Sequence, residues 1–227
     1  MQQNSRWHYL TTADDVADAA CRQILNAAEL AISERGKFKL VLAGGSTPEK
    51  VYALLAQAKA DWKNWFIYYG DERCLPVDHP DRNSLMAAKV LLAKVAIPES
   101  QIFTIPAELG PELAALRYGI SVVKAGKFDM VLLGMGEDGH TASLFPGHQH
   151  PQNEPVHAVY NSPKPPPERV SISANALSNT QALIILITGM NKQEAVKQWR
   201  SRQDLPIANI IPESPIDIFI DSEAYQP

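Results

Sequence analysis

The feature that narrows the fold most is an alternation. Short apolar runs recur along the 227-residue chain, most of them ending in a glycine-bearing or charged loop and several followed by a helical pattern. "KLVLAGG" reads as a buried strand ending in glycines. "TPEKVYALLAQAK" after it places Val51, Leu54, Leu55 and Ala58 at helical spacing. "WFIYYGDER" is the next strand, "DRNSLMAAKVLLAKV" the next helix, and "KFDMVLLGMG" a third strand. "RVSIS", "ALIILIT" and "PIDIFID" are later strands, with "NKQEAVKQW" a helix after "ALIILITG". Ahead of all of these, "TADDVADAACRQILNAAELAISERG" is a long amphipathic helix stopped by Gly36. This order predicts an α/β protein with a mainly parallel sheet covered on both faces.

There is no internal repeat, and the proline-rich "NSPKPPPERV" is too short to link two domains, so residues 1–227 read as one domain. In an open parallel sheet, ligands bind outside the carboxyl ends of the strands. The loops "GGST", "GDER", "GMGEDGH" and "TGMNK" all follow predicted strands, so the topology predicts that they converge on one crevice.

Composition excludes some partners. A net charge of -4 argues against nucleic acid, which usually needs a basic face. No apolar run approaches the roughly 18–20 residues needed to span a bilayer, and "MQQNSRWHYLTTADD" has no signal-like apolar stretch. The expectation is a soluble, cytoplasmic chain with no membrane partner. Cys21 and Cys74 make neither a disulfide framework nor a zinc spacing. Cys74 reads as a small packing residue, and His79 in "VDHPD" as a loop residue with no role.

Each loop carries chemistry. Gly44 and Gly45 allow close backbone approach, Ser46 and Thr47 offer hydroxyls, and the predicted helix start, with a hydroxyl cap and Pro48 in its first turn, offers free N–H groups. The segment is not a Walker loop and lacks the G-x-G-x-x-G spacing of dinucleotide binders. Asp71 and Arg73, directly after an apolar strand, are placed to enter the crevice. His140 can accept and return a proton near neutral pH, and Asp138, two residues before it, can fix its tautomer. Arg169 and Lys192 stand at loop–element junctions, where a guanidinium fork and a point charge can clamp a phosphate. Lys164 is a weaker candidate for the same task.

These segments together resemble the 6-phosphogluconolactonases of the glucosamine-6-phosphate isomerase/deaminase superfamily. "LAGGSTPEKVYALL", "GDERCLPVDHPDRNS", "GMGEDGHTASLFPG", "SPKPPPERVSIS" and "TGMNK" occur in family order, nearly end to end. The resemblance implies a Rossmann-like three-layer α/β/α fold without a nucleotide, and hydrolysis of 6-phospho-D-glucono-1,5-lactone to 6-phosphogluconate in the oxidative pentose phosphate pathway. It implies no metal and no organic cofactor. It places the catalytic histidine at His140, the "DER" pair at Asp71 and Arg73, and phosphate binding at Gly45, Ser46, Thr47, Arg169 and Lys192. Arg73, or a glycine N–H near Gly136, would stabilise the oxyanion.

Two rival readings come with the resemblance. The deaminases of the superfamily carry a glutamate five residues after the histidine, where this chain has Phe145, and "DEY" where it has "DER". Sugar-phosphate sensors of this fold usually add a DNA-binding segment, for which no basic arm is present. Oligomeric state, monomer or small homo-oligomer, is left open by the sequence.

Overall fold

The structure is a computed structural model and describes residues 4–225. In chain order the elements are β1 (Ser5–Leu10), α1 (Ala13–Arg35), β2 (Phe38–Leu42), α2 (Ser46–Leu55), β3 (Trp65–Tyr69), β4 (Asp71–Arg73), α3 (Asn83–Val90), α4 (Pro111–Ala125), β5 (Phe128–Gly134), β6 (Val156–Val159), β7 (Arg169–Ile172), α5 (Ala174–Ser178), β8 (Thr180–Ile187), α6 (Gln193–Arg200) and β9 (Ile216–Asp221). Six strands form a sheet in the order β1-β9-β8-β5-β2-β3, every neighbour pair parallel. The helices flank it, which is the expected three-layer arrangement. Strand β5 is buried along Phe128–Leu133. A parallel strand covered on both faces reads in sequence as such a continuous apolar run.

Local chemistry explains the element ends. Thr12 caps α1 by accepting the Asp15 N–H, and the Asp15 carboxylate accepts the Thr12 N–H in return, a capping box. Gly36 ends α1 as predicted; at φ +72° it is in the left-handed conformation, and its N–H donates to the Ile32 carbonyl.

Four expectations need correction. "WFIYYGDER" is not one strand. The chain leaves the six-stranded sheet at Gly70, whose N–H donates to Leu42 O while its carbonyl accepts the Ile172 N–H, and β4 enters a second, antiparallel sheet β4-β7-β6. "RVSIS" therefore supplies β7 of that small sheet rather than a parallel strand. The cap of α2 is Gly45, at φ +107°, with no side-chain cap, so Ser46 and Thr47 are the first residues inside the helix. The predicted helices after β2 and β4 are also shorter, ending at Leu55 and Val90. Beyond these, β1, β6 and α4 are elements that the alternation does not reveal.

Strand order positions the site. From β2 the chain steps to β3 at one edge, then crosses back to place β5 on the other side of β2. Loops leaving the carboxyl ends of β2 and β5 therefore diverge at this reversal and open a crevice between them. Among the described residues, no helix is long and apolar enough to cross a membrane.

Candidate active site

A crevice of about 210 Å³ opens at this reversal. Gly44 and Gly45 after β2, and Met135, Gly136 and His140 after β5, form part of its wall. Asp71, Arg73, Asn83, Thr141, Lys164, Arg169 and Lys192 complete the polar lining. Most of the sequence candidates thus converge, but Ser46 and Thr47 sit just beyond the wall, and Asp138 stands behind His140 rather than lining it. The Thr47 hydroxyl is engaged with the Thr188 hydroxyl at 2.6 Å, tying α2 to the end of β8. The first intrahelical bond runs from Glu49 N to Gly45 O, so the N–H groups of Ser46 and Thr47 precede the ladder and no side chain caps them.

His140 is held by its own loop. Its Nδ1 lies 2.5 Å from Asp138 Oδ1, which also accepts the His140 N–H at 3.2 Å. A carboxylate on Nδ1 fixes the tautomer with the proton there and leaves Nε2 as the basic nitrogen. The ring packs against Phe145, with centroids 4.7 Å apart. Burial pushes the imidazole pKa down, Asp138 pulls it back up, and the Lys164 charge pushes it down again. The net direction is downward, which favours the neutral ring.

Gly136 makes this loop possible. A Cβ there would stand 2.0 Å from His140 Nδ1 and 2.6 Å from Asp138 Oδ1. Its N–H donates to His140 O at 2.8 Å. That N–H is thus spent on the loop, which removes it from the expected oxyanion donors.

The "DER" residues divide by strand periodicity. Alternate residues of a strand point to opposite faces, so Asp71 and Arg73 share one face of β4 and Glu72 takes the other. Both Asp71 oxygens are engaged: Asn83 Nδ2 donates to Oδ1 at 3.0 Å, and Ser143 Oγ to Oδ2 at 2.6 Å. Arg73 Nη1 donates to Asp81 O. Glu72, fully buried, accepts the N–H groups of Asn83 and Ser84 at 2.8 Å and of Arg73 at 2.9 Å. It serves as the missing cap of α3, whose N-cap residue Arg82 gives no side-chain cap.

The cations form a second group. Arg169 is buried, and the fork expected to grip a phosphate is largely spent within the proline-rich turn. Its Nε donates to Pro166 O, and Nη2 to the carbonyls of Lys164 and Pro165. Nη1 is left toward the crevice, 4.0 Å from Asp71 Oδ2. Arg169 therefore shapes the turn that presents Lys164. That lysine pairs with Glu137 at 3.1 Å. Burial, then the neighbouring Lys164 charge, pushes the Lys192 ammonium pKa down. A Lys192 ammonium close enough to a second cation to be depressed by it belongs to a site that favours an anion.

Asn83 and Ser143 are lining or supporting residues that the sequence reading missed. Asn83 lies within the "DRNS" segment, but only the fold shows its amide on Asp71. A Cβ at Gly44 would come within 2.0 Å of Asn83 Oδ1, so this glycine makes room for a side chain of the protein itself. Cys74 is half-buried as a packing residue, and burial pushes its thiol up to about 11. Among the described residues, no group of three or more His, Cys, Asp or Glu side chains is arranged to hold a metal ion.

Comparisons with known proteins bear on the family and the fold. A family model for glucosamine-6-phosphate isomerases/6-phosphogluconolactonase matches residues 11–218. A 6-phosphogluconolactonase of Synechocystis sp. is 34% identical over 207 residues, covering 86% of each sequence. A probable chloroplastic 6-phosphogluconolactonase 4 of Oryza sativa is 34% identical over 204 residues, 82% of this chain, and the match spans only 63% of the rice sequence. The crystal structure of 6-phosphogluconolactonase from Thermotoga maritima has a TM-score of 0.90 at 27% identity, covering 96% of this chain and 100% of that one. The chain therefore belongs to the glucosamine-6-phosphate isomerase/6-phosphogluconolactonase family.

Proposed function

We propose that this protein hydrolyses 6-phospho-D-glucono-1,5-lactone to 6-phospho-D-gluconate, with His140 as the proton carrier. The observation that carries the reading is an imidazole held at Nδ1 by Asp138 in the same crevice as Lys164, Arg169 and Lys192. The relatives named as 6-phosphogluconolactonases support the same substrate.

In this mechanism the lysines and the free Nη1 of Arg169 hold the substrate phosphate, with the N–H groups at the start of α2 beside them. Fixing that distant group lowers the entropic cost of aligning C1. His140 Nε2 takes a proton from water as the water oxygen bonds to C1, and the carbonyl π pair moves onto oxygen. Arg73, the cation left once the Gly136 N–H is committed, faces that oxyanion. When the intermediate collapses, the C1–ring oxygen bond breaks and the imidazolium returns its proton to the ring oxygen. The new carboxylic acid then loses its own proton to solvent. Asp71, with both oxygens engaged, orients sugar hydroxyls rather than accepting the proton.

The isomerase–deaminase chemistry of the wider family fits less well. The position five residues after His140 is Phe145, buried and packed on the imidazole, so no carboxylate assists ring opening there.

The test is a coupled assay on freshly generated phosphorylated and unphosphorylated gluconolactone. A strong preference for the phosphorylated lactone is expected. Lys192→Ala is expected to raise KM by about ten- to a hundredfold, the loss of one charge-assisted hydrogen bond. Equal rates on both lactones would remove the clamp, and undiminished turnover by His140→Ala would remove the mechanism.

A further inference from the structure

Phe145 stands between two groups of the site. Its buried ring packs on the His140 imidazole, with centroids 4.7 Å apart, and the Arg169 guanidinium carbon lies 5.6 Å from the same ring centre. The segment carrying Phe145, residues 141–147, lies outside helix and strand. It begins under strain. Ala142 sits at φ +48°, in the left-handed region that a residue with a Cβ seldom adopts. Such a backbone persists only where its surroundings hold it firmly. On the β5 side the hold is Thr141, whose hydroxyl donates to Gly134 O at 2.9 Å.

On the far side it is a ring. His150 Nε2 lies 2.9 Å from Phe145 N and 3.2 Å from Phe145 O. One ring nitrogen serves only one of them. Phe145 O already accepts the His148 N–H at 3.3 Å, and the amide is the nearer partner, so Nε2 accepts the Phe145 N–H. A neutral His150 then carries its proton on Nδ1. It donates that proton to Nε2 of His157, 3.1 Å away and buried on β6. One line of contacts thus runs from the small sheet through two imidazoles to the Phe145 main chain, and across its ring to His140.

We infer that His150 is a positioning residue for His140: its unprotonated Nε2 holds the Phe145 main chain, so that the Phe145 ring keeps the imidazole in place and shielded from water. The inference rests on His140 as the proton carrier, but ring titration tests it without substrate. Neither His150 nor His157 lines the crevice, so both act at one remove. The charges that bear on the His140 ring are Asp138, Lys164 and Asp71, and all three are kept in the variants below. Around His150 stand His157, His148 with its ring stacked at 6.1 Å, and Asp204 across the neighbouring cavity.

Nitrogen NMR of the rings tests the tautomer in the wild type. Above about pH 7.5, where an ordinary histidine is neutral, His150 should carry its proton on Nδ1. A proton on Nε2 overturns the inference. His150→Leu removes the acceptor, while His150→Gln keeps an amide oxygen near the place of Nε2 and removes only the titration. In His150→Leu the His140 midpoint should rise by about half a pH unit or more, toward about 6.5, as the ring gains water, and kcat should fall about tenfold. His150→Gln should keep both near wild type. Phe145→Ala should cause the same two changes, and adding His150→Leu to it should extend neither. Lower stability alone leaves the His140 midpoint of the folded protein where it was. A midpoint that stays put in His150→Leu overturns the inference whatever the turnover, as does His150→Gln behaving like His150→Leu. A midpoint that shifts in a chain without lactone hydrolysis would strike the proposed function alone.

Discussion

Asp138 places one carboxylate oxygen on both the ring Nδ1 and the backbone N–H of His140, at 2.5 and 3.2 Å. The contact does two things that a mutation can separate. It fixes the tautomer, and its charge raises a pKa that burial has lowered. Asp138→Asn removes the charge and allows the wrong tautomer, so kcat should fall about a hundredfold, within the usual range for a positioned base. The pH profile adds an independent readout. A general base works in its neutral form, so the acid limb lies below the ordinary histidine value of about 6.5. Without the carboxylate it should move to still lower pH. A kcat–pH profile in which the limb stays put, or moves up, would show that Asp138 does not act through the imidazole.

Gly136→Ala tests whether the loop geometry matters apart from its chemistry. Gly136 is not among the residues with positive φ, so its backbone accepts alanine and only space forbids it. The added methyl would meet His140 Nδ1 at 2.0 Å and must push the ring or Asp138 aside. Turnover is expected to drop at least tenfold, with about 1–3 kcal/mol of stability lost to overpacking. The lysines proposed to hold the phosphate are untouched, so product affinity by calorimetry should hold. A variant with normal kcat would mean that the His140–Asp138 contact can shift without consequence.

The candidate site was legible in the sequence to the extent that its chemistry is local. His140 and Asp138 are two residues apart, and the "DER" pair follows a visible strand. What stayed hidden depends on distant partners. Glu72 looks like one more loop charge until α3 brings its N-terminus to it. Arg169 looks like a free fork until the proline-rich turn folds over it and takes three of its hydrogen bonds. The sheet showed the same divide. The core strands announce themselves as apolar runs, whereas β1, with a mixed burial pattern, and the four-residue β6 do not. Gly70 looks like part of one long strand because nothing nearby says that the chain changes sheets there.

Glu72→Gln should be the most destabilising of these changes. The carboxylate accepts three backbone N–H groups and lies 3.5 Å from Arg82 Nε, a guanidinium that is itself 3% exposed. Neutralising it leaves Arg82 buried with its remaining partner Glu108 and two carbonyls. Breaking a buried pair from one side typically costs about 3–5 kcal/mol, and Glu108 places the expectation at the lower end. Urea unfolding at pH 7 measures it. Activity should fall as well, because the first N–H groups of α3 and the Asn83 amide that holds Asp71 lose their anchor. A loss below about 1 kcal/mol would put Glu72 among ordinary surface charges.

A second histidine predicts how stability responds to acid. His157 is buried on β6, its Nε2 3.1 Å from His150 Nδ1, and its own Nδ1 has no hydrogen-bond partner among the described residues. Burial, then the proximity of His150, pushes its pKa down to about 4. In the unfolded chain the value returns to about 6.5. Between those limits the unfolded state binds the proton and the native state does not. Stability is therefore complete above about pH 6.5 and falls as the pH drops toward about 4, by roughly 3 kcal/mol in all. His157→Gln removes this titration, while His140 and His150 continue to contribute theirs. The difference between wild type and variant in unfolding free energy should thus change by about 1.4 kcal/mol per pH unit across that window. Parallel stability–pH curves would show that protonating His157 does not oppose folding.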